Sequence, residues 1–367
     1  MKVCIVGGGA SGWWTAAYLE KNNPDLDITL VESDTIPTLG VGEAVQPAVR
    51  LFIEELGIDE AKWMQQASAT IKKGSARKGF QSPDETEFYK VNIAEEGSYG
   101  YHVDNSQIYQ IVRDSTKNIN HIVQTVTSKS DLPKADLYID CTGFRRALIE
   151  DKTLVCDPDL TVNTAIVKRA AAEDTPCDGL TRIIARKYGW EFNIHLADGR
   201  AGIGYVFDRN YISIEEAKEE YEQNNSHRQF ISDYNVIQWT PGVLENPWQG
   251  DTVALGVAAG FIEPQEATGL AVLVYQIKAL SRALKRPNGD KFYRKAMYRI
   301  NQQSSDIIWN IYAISRRDDT EFWKKWAAID PTDRLNKSIS ERQGKDQTGF
   351  MFGDYLYRSL GEYGKWL

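Results

Sequence analysis

Cysteine is scarce in this 367-residue chain. There are four, at positions 4, 141, 156 and 177, and no Cys-x-x-Cys pair. That spacing supports neither a zinc ribbon nor a dithiol redox centre, and no metal site is expected. Cys4 and Cys141 fall in apolar, strand-like runs and read as small buried residues. Long hydrophobic runs are also missing: the longest, Val253 to Ile262, is about half of what a membrane-spanning helix needs. Met1-Lys2-Val3 leads straight into a strand without the regions of a signal peptide, so a reduced, cytoplasmic setting is expected. Positive charge is not in excess. The net charge of -8 argues against a nucleic-acid-binding face. Repeats and low-complexity linkers are absent, which predicts one compact unit over residues 1–367.

What is present begins within the first dozen residues. Gly7-x-Gly9-x-x-Gly12, with Ala10 and Ser11 between its glycines, follows the apolar run Val3–Cys4–Ile5–Val6. Glu32 stands twenty residues after Gly12, at the end of a second apolar run, Ile28 to Val31. Strand, glycine turn, helix, strand and acidic residue is the sequence form of a dinucleotide-binding βαβ unit. Gly7 permits the turn, Gly9 lets backbone N–H groups approach a pyrophosphate, and Gly12 lets helix and sheet pack closely. Glu32 is placed to accept hydrogen bonds from ribose hydroxyls. The motif does not distinguish FAD from NAD. Ten tryptophans and eighteen tyrosines suit a large core or a planar ligand, and Trp13 and Trp14 are expected in the core.

Further along, Gly40-Val-Gly42-Glu43-Ala44-x-x-Pro47 reads as a glycine-rich loop before a helix from Ala48 to Leu56. Helices are expected over 59–69 and 106–118, and a polar hairpin within 74–100. Asp136 to Ile139 reads as a short strand entering Asp140-Cys-Thr-Gly143-Phe144. The β-rich pieces Val162–Val167, Trp190–Leu196 and Gly204–Arg209 suggest an inserted antiparallel sheet. Asp251 to Ala259 reads as an apolar strand, and its loop Gly260-Phe-Ile-Glu263-Pro264-Gln-Glu266-Ala-Thr268-Gly269 opens a strongly periodic helix through Leu284. Residues 288–367 read as helical.

Three distant segments, Gly7–Gly12, Gly40–Pro47 and Gly260–Gly269, together resemble the flavin-dependent halogenases, especially the tryptophan-halogenase-like group. Ala69-Thr-Ile-Lys72-x-Gly74, Tyr101-His102-x-Asp104, Asp140-Cys-Thr-Gly143-Phe144-Arg145, Gly204-Tyr-Val and Ser315-Arg-x-Asp-x-Thr-x-x-Trp323 extend the likeness over roughly residues 1–325, in order. The glycine motif and the Asp140–Gly143 element are common to flavin monooxygenases. The lysine after Ala-Thr-Ile and the Glu-Pro-x-Glu-x-Thr-Gly loop are far more specific.

The resemblance implies an α/β chain with a Rossmann-like FAD-binding fold of the flavin monooxygenase type, an inserted β-sheet region and a helical C-terminal part. Residues 1–50, 100–150 and 250–287 would form the FAD module, 51–99 and 151–249 the covering module, and 288–367 the helical region. It implies that FADH2 and O2 oxidise a halide ion (chloride, bromide or iodide) to hypohalous acid, which travels through a tunnel to a separate pocket. There Lys72 would activate it, by hydrogen bonding or as a haloamine, and Glu266 would take a proton from the ring or orient the oxidant. Gly40, Gly42, Glu43, Ala44, Asp140 and Gly143 would border the flavin with Gly7 to Gly12 and Glu32. Thr268 and Gly269, where a helix begins, would bind the halide, although Thr268 also fits a simple N-cap. Glu263, His102, Asp104 and Arg145 are weaker candidates. No second nucleotide module is evident, so a separate flavin reductase is the expected source of FADH2.

The family pattern also breaks. Where members carry Trp-x-Trp-x-Ile-Pro in the covering sheet, this chain has Trp190-Glu-Phe192-Asn-Ile194-His195. Ala267 stands where serine is common. The segment before Tyr99 and the tail after about 325 are short beside free-tryptophan halogenases, which predicts an open pocket for phenols, indoles or other electron-rich aromatics rather than tryptophan. A flavin-dependent aromatic monooxygenase is the alternative enzyme, and a non-catalytic flavoprotein the alternative outside enzymes.

Overall fold

The structure, a computed structural model, describes residues 1–36, 42–92, 99–171 and 178–334; Gly40, Cys177 and the expected helical segment 335–367 lie outside the described residues. One sheet has the order Trp248–Gln249, Thr252–Ala254, Leu137–Asp140, Lys2–Val6, Asp27–Glu32 and Asn120–Val123, parallel except at the first edge strand. Val3 to Val6 are all buried, as expected of a parallel strand covered on both faces.

Helix α1 (Ala10–Asn22) leaves the first strand through Gly7, whose φ of 120° few side chains tolerate. A Cβ on Gly12 would lie 1.7 Å from the Gly7 carbonyl oxygen, so only glycine lets α1 sit this close. Trp13 and Trp14 are buried, and Trp14 stacks on Phe52 of α2 (Pro47–Leu56) at 5.4 Å. Pro47 opens α2 and Gly57, with φ 81°, closes it.

Helix α3 (Glu60–Gln66) is capped by Asp59, which accepts from the Lys62 amide at 2.8 Å. It ends earlier than the predicted span because Ser68 turns left-handed (φ 46°) and the chain becomes the strand Thr70–Lys72. That strand, Gly100–Asp104 and Gly42–Val45 form a small antiparallel sheet. Asp104 then caps α4 (Asn105–Asp114).

A seven-stranded sheet covers one side in the order Asn235–Gln238, Thr164–Ala170, Ala201–Phe207, Gly189–His195, Leu180–Arg186, Gly74–Lys78 and Tyr89–Asn92. The inserted sheet is therefore larger than the three predicted pieces, because the hairpin Gly74–Lys78/Tyr89–Asn92 joins it through a parallel pairing to Leu180–Arg186. Helix α5 (Ile214–Asn224) lies against its outer face and begins in a Ser213/Glu216 capping box.

Helices α6 (Thr268–Ala283), α7 (Gly289–Ala313) and α8 (Glu321–Ala327) complete the fold. Helix α6 contributes Leu273, Val274 and Ile277 to the core around the parallel sheet and Ala271 to the core under the seven-stranded sheet. The expected strand Asp251–Ala259 is real only over Thr252–Ala254. Gly256 (φ 62°) breaks it, passing so near α1 that a Cβ would lie 2.0 Å from the Ser11 hydroxyl. Among the described residues no helix is long and apolar enough to cross a membrane, and no cluster of three or more metal-ligating side chains occurs.

Gly12→Ala should lower stability by about 1–3 kcal/mol, the usual effect of overpacking a close helix–strand contact. Urea unfolding measures it, and an unchanged midpoint would mean α1 can retreat without cost.

Candidate active site

A cavity of about 440 Å³ lies between the carboxyl ends of the parallel strands and the inner face of the seven-stranded sheet. At one end Gly9, Ala10 and Ser11 line it at the start of α1. Gly9 is the N-cap, no side chain caps this helix, and its first turn carries no acidic residue. Its N–H groups and partial positive charge are therefore left to a ligand. Glu32, at the next strand's end, also lines the cavity. The His121 Nε2 lies 2.7 Å from its carboxylate, and the Trp13 indole donates to it at 3.4 Å.

Gly143 (φ 65°) faces the same space, with nothing within 4 Å of the place a Cβ would occupy. Glu43 and Ala44 border the cavity from the strand that begins at Gly42. A glycine cradle, an uncapped helix terminus and a fixed acid suit the phosphates and ribose of an adenine dinucleotide.

Three residues of the set expected around the flavin stand outside the cavity wall. Gly7 and Gly12 serve the backbone beneath the cavity. Asp140 is fully buried and outside the cavity wall; it accepts hydrogen bonds from the Thr142 amide and hydroxyl and from the Leu148 amide at 2.7–2.9 Å. Its carboxylate shapes the turn that presents Gly143.

Helix α6 starts at the cavity, where Thr268 and Gly269 line the wall. Glu266 (φ 63°) and Ala267 (φ 55°) are both left-handed, which costs non-glycine residues about 1–2 kcal/mol each. The buried Gln46 amide holds this turn by donating to the Glu266 carbonyl at 2.5 Å. No side chain caps α6 and no acid occupies its first turn, so its first amides are left available to an anion.

Lys72 and Glu266 line this one cavity although nearly two hundred positions separate them. Lys72 is buried at 1% exposure, whereas Lys73 is exposed. Lys72 makes no ion pair or hydrogen bond among the described residues. Burial, then the Arg77 charge, pushes its pKa down to about 7. The Glu266 carboxylate is ion-paired with Arg77, and both side chains are almost fully buried. Arg77 went unread in the sequence because segment 74–100 looked merely polar, and Gly74-Ser-Ala-Arg77-Lys78 carries no apolar alternation to mark a buried strand.

Glu263 also lines the cavity and is buried. Burial pushes its pKa up to about 8, and the Tyr312 hydroxyl of α7 contacts both carboxylate oxygens at 3.0 Å. Trp190, Phe192 and Ile194 occupy alternate positions of one strand and form the cavity wall. Phe192 has room because Gly204 lies opposite: a Cβ there would sit 2.3 Å from the ring.

The remaining candidates are committed locally. Asp104 pairs with Arg169 and Arg200, and Arg145 donates to the Val126 carbonyl. His102 is bound through Nε2 to Thr181 at 2.8 Å, and burial drives its pKa well down. His195 is a buried strand residue. Cys4 and Cys141 are buried thiols, and burial raises Cys4 to about 11.

The sequence profile of the tryptophan halogenase family matches residues 2–91 and 75–358. Tryptophan 6-halogenase SttH of Streptomyces toxytricini is 26% identical over 421 residues, spanning 88% of this chain and 80% of that protein. Tryptophan 7-halogenase RebH of Lentzea aerocolonigenes is 26% identical over 92% of this chain and 81% of its own length. Among solved structures, Xcc4156, a flavin-dependent halogenase from Xanthomonas campestris, superposes with a TM-score of 0.85 at 24% identity, covering 98% of this chain and 88% of that one. BrvH, a flavin-dependent halogenase from Brevundimonas sp. BAL3, gives a TM-score of 0.79 at 21% identity, covering 98% and 90%.

The lowered Lys72 pKa has a sign for stability. The unfolded chain keeps the amine protonated up to its ordinary value of 10.5, so the native state is penalised at pH 7 and the penalty fades toward 10.5. Lys72→Met should therefore raise the thermal midpoint at pH 7, with the gain shrinking as pH rises. Glu266→Gln should cost about 3–5 kcal/mol, because it leaves the buried Arg77 charge without its partner. Calorimetry of both variants checks the pair; a lower midpoint for Lys72→Met would contradict the burial argument.

Proposed function

The chain belongs to the tryptophan halogenase family of flavin-dependent halogenases, and we propose that it halogenates an electron-rich aromatic substrate through Lys72 and Glu266. The observation that carries this reading is the shared cavity: the uncapped ends of α1 and α6, the Lys72 amine and the Glu266 carboxylate all border it. Reduced FAD, when bound, supplies the electrons with which O2 converts halide to hypohalous acid.

The chain's own groups divide the remaining work. Amides of Gly9 to Ser11 hold the pyrophosphate, Glu32 binds the ribose, and Glu43, Ala44 and Gly143 border the flavin ring. Thr268 and Gly269 hold halide at the α6 N-terminus. Trp190, Phe192 and Ile194 screen the aromatic substrate from the flavin while the small oxidant passes. The neutral Lys72 amine attacks the halogen of hypohalous acid, forming an N–halogen bond and releasing water. The substrate ring then takes the halogen as the N–halogen bond breaks toward nitrogen. The departing side-chain nitrogen takes up a proton as that bond breaks, giving the free amine, and Glu266 receives the proton the ring loses and returns it to the site.

A phenol, an indole or a comparable electron-rich ring fits this chemistry, and a separate reductase delivers FADH2 by diffusion. Incubation with chemically reduced FAD, oxygen, each halide and a panel of such aromatics should yield halogen mass shifts. A halide-independent gain of one oxygen would instead mark a monooxygenase. Lys72→Ala should abolish aryl halide formation while flavin reoxidation continues, and undiminished product removes Lys72 from the mechanism. Because the free amine is the competent form, product formation should rise with pH through about 7 and then level off. A rate that falls through that range would assign the work to the protonated lysine.

A further inference from the structure

Arg77 has no role in the chemistry above, yet it is one of the largest fully buried side chains in the molecule. It stands on the strand Gly74–Lys78, two residues from the cavity-lining Ser75 and therefore on the same face. We propose that Arg77 is a positioning residue of the halogen-transfer site, whose guanidinium holds the Glu266 carboxylate in place at the end of the cavity that Lys72 occupies. The inference rests on the assignment of Lys72 and Glu266 to halogen transfer.

Three independent features meet at this pair. Glu266 stands in a left-handed turn immediately before α6, and the Gln46 amide holds that turn by donating to the Glu266 carbonyl. The guanidinium reaches the carboxylate from a different element, the outer part of the seven-stranded sheet. Both groups are removed from water, where a lone carboxylate would take up a proton and cease to be a base.

The other titratable groups around the lysine do not replace this function. His102 is buried with a strongly lowered pKa, so it adds no cation, and His195 lies beside it. Glu263 is held by Tyr312, and burial favours its neutral form. Arg77 thus serves both partners: it is the fixed counter-charge for Glu266 and the like charge beside Lys72 that favours the free amine. Without it Lys72 would become the cation that compensates Glu266, and the amine needed as nucleophile would be tied up as ammonium.

The test uses full-length protein loaded with reduced FAD, comparing wild type, Arg77→Gln, Arg77→Lys and the double variant Arg77→Gln/Glu266→Gln. The double variant removes both charges together, so it stays foldable if the single change is not tolerated. Two readouts are followed against pH: halide-dependent aryl halide formation, and the rate at which a small acylating reagent labels Lys72, read by peptide mass spectrometry.

Arg77→Gln should lower product formation at pH 7 by about tenfold or more and move the Lys72 labelling inflection upward by about one pH unit. Arg77→Lys should restore most of both, and adding Glu266→Gln to Arg77→Gln should remove the remaining product while returning the Lys72 labelling inflection toward its wild-type position. FAD affinity should stay at the wild-type value in all variants. Wild-type product yield and an unshifted labelling profile in Arg77→Gln would overturn the inference. The labelling readout needs no turnover, so it still decides the pairing if the wild type oxygenates rather than halogenates its substrates.

Discussion

The structure turns on two consecutive left-handed residues, Glu266 and Ala267, immediately before α6. This turn ends the loop, leaves the α6 amides uncapped toward the cavity, and sends the Glu266 carboxylate to Arg77 instead of along the helix. A non-glycine pair adopts it only where surroundings overdetermine it. Gln46 supplies one restraint through its hydrogen bond, and the burial of Leu273, Val274 and Ile277 of α6 supplies another by fixing the helix. One strained step thus places an uncapped helix terminus and a buried carboxylate next to each other in the chain.

The second constraint is desolvation. Lys72, Arg77, Glu263 and Glu266 are all buried in a region otherwise walled by Trp190, Phe192 and Ile194. Such charges weaken a fold unless paired, and here only Glu266 and Arg77 form an ion pair. The cost falls on Lys72 and Glu263, whose pKa values move toward their neutral forms. A neutral amine at ordinary pH is what nucleophilic transfer of halogen requires. The same burial that would destabilise the protein thus suits Lys72 to the role proposed for it.

The first βαβ unit was legible because its requirements are local. Gly7, Gly12 and Glu32 follow from the geometry of one βαβ unit, and parallel strands appear as continuous apolar runs. The helix after Gly269 was equally plain from its apolar spacing. The middle of the chain was harder. Segment 74–78 has no strong apolar alternation, since both Ser75 and Arg77 face inward, so its place in the large sheet was invisible. Asp140 shows the converse: a shared motif marked it for the ligand, whereas its oxygens close a turn.

By itself the sequence determined the glycine turn, the acidic residue beyond it and the helix that follows Gly269. These rest on short-range geometry or on specific local motifs. Only the tertiary structure decided that Lys72 and Glu266 share one cavity, that Arg77 rather than a neighbouring lysine pairs with the carboxylate, and that Glu263 is buried against Tyr312. The reason is physical: burial and charge pairing depend on contacts between strands and helices far apart in the chain, and no residue's pKa can be read before its neighbours are known.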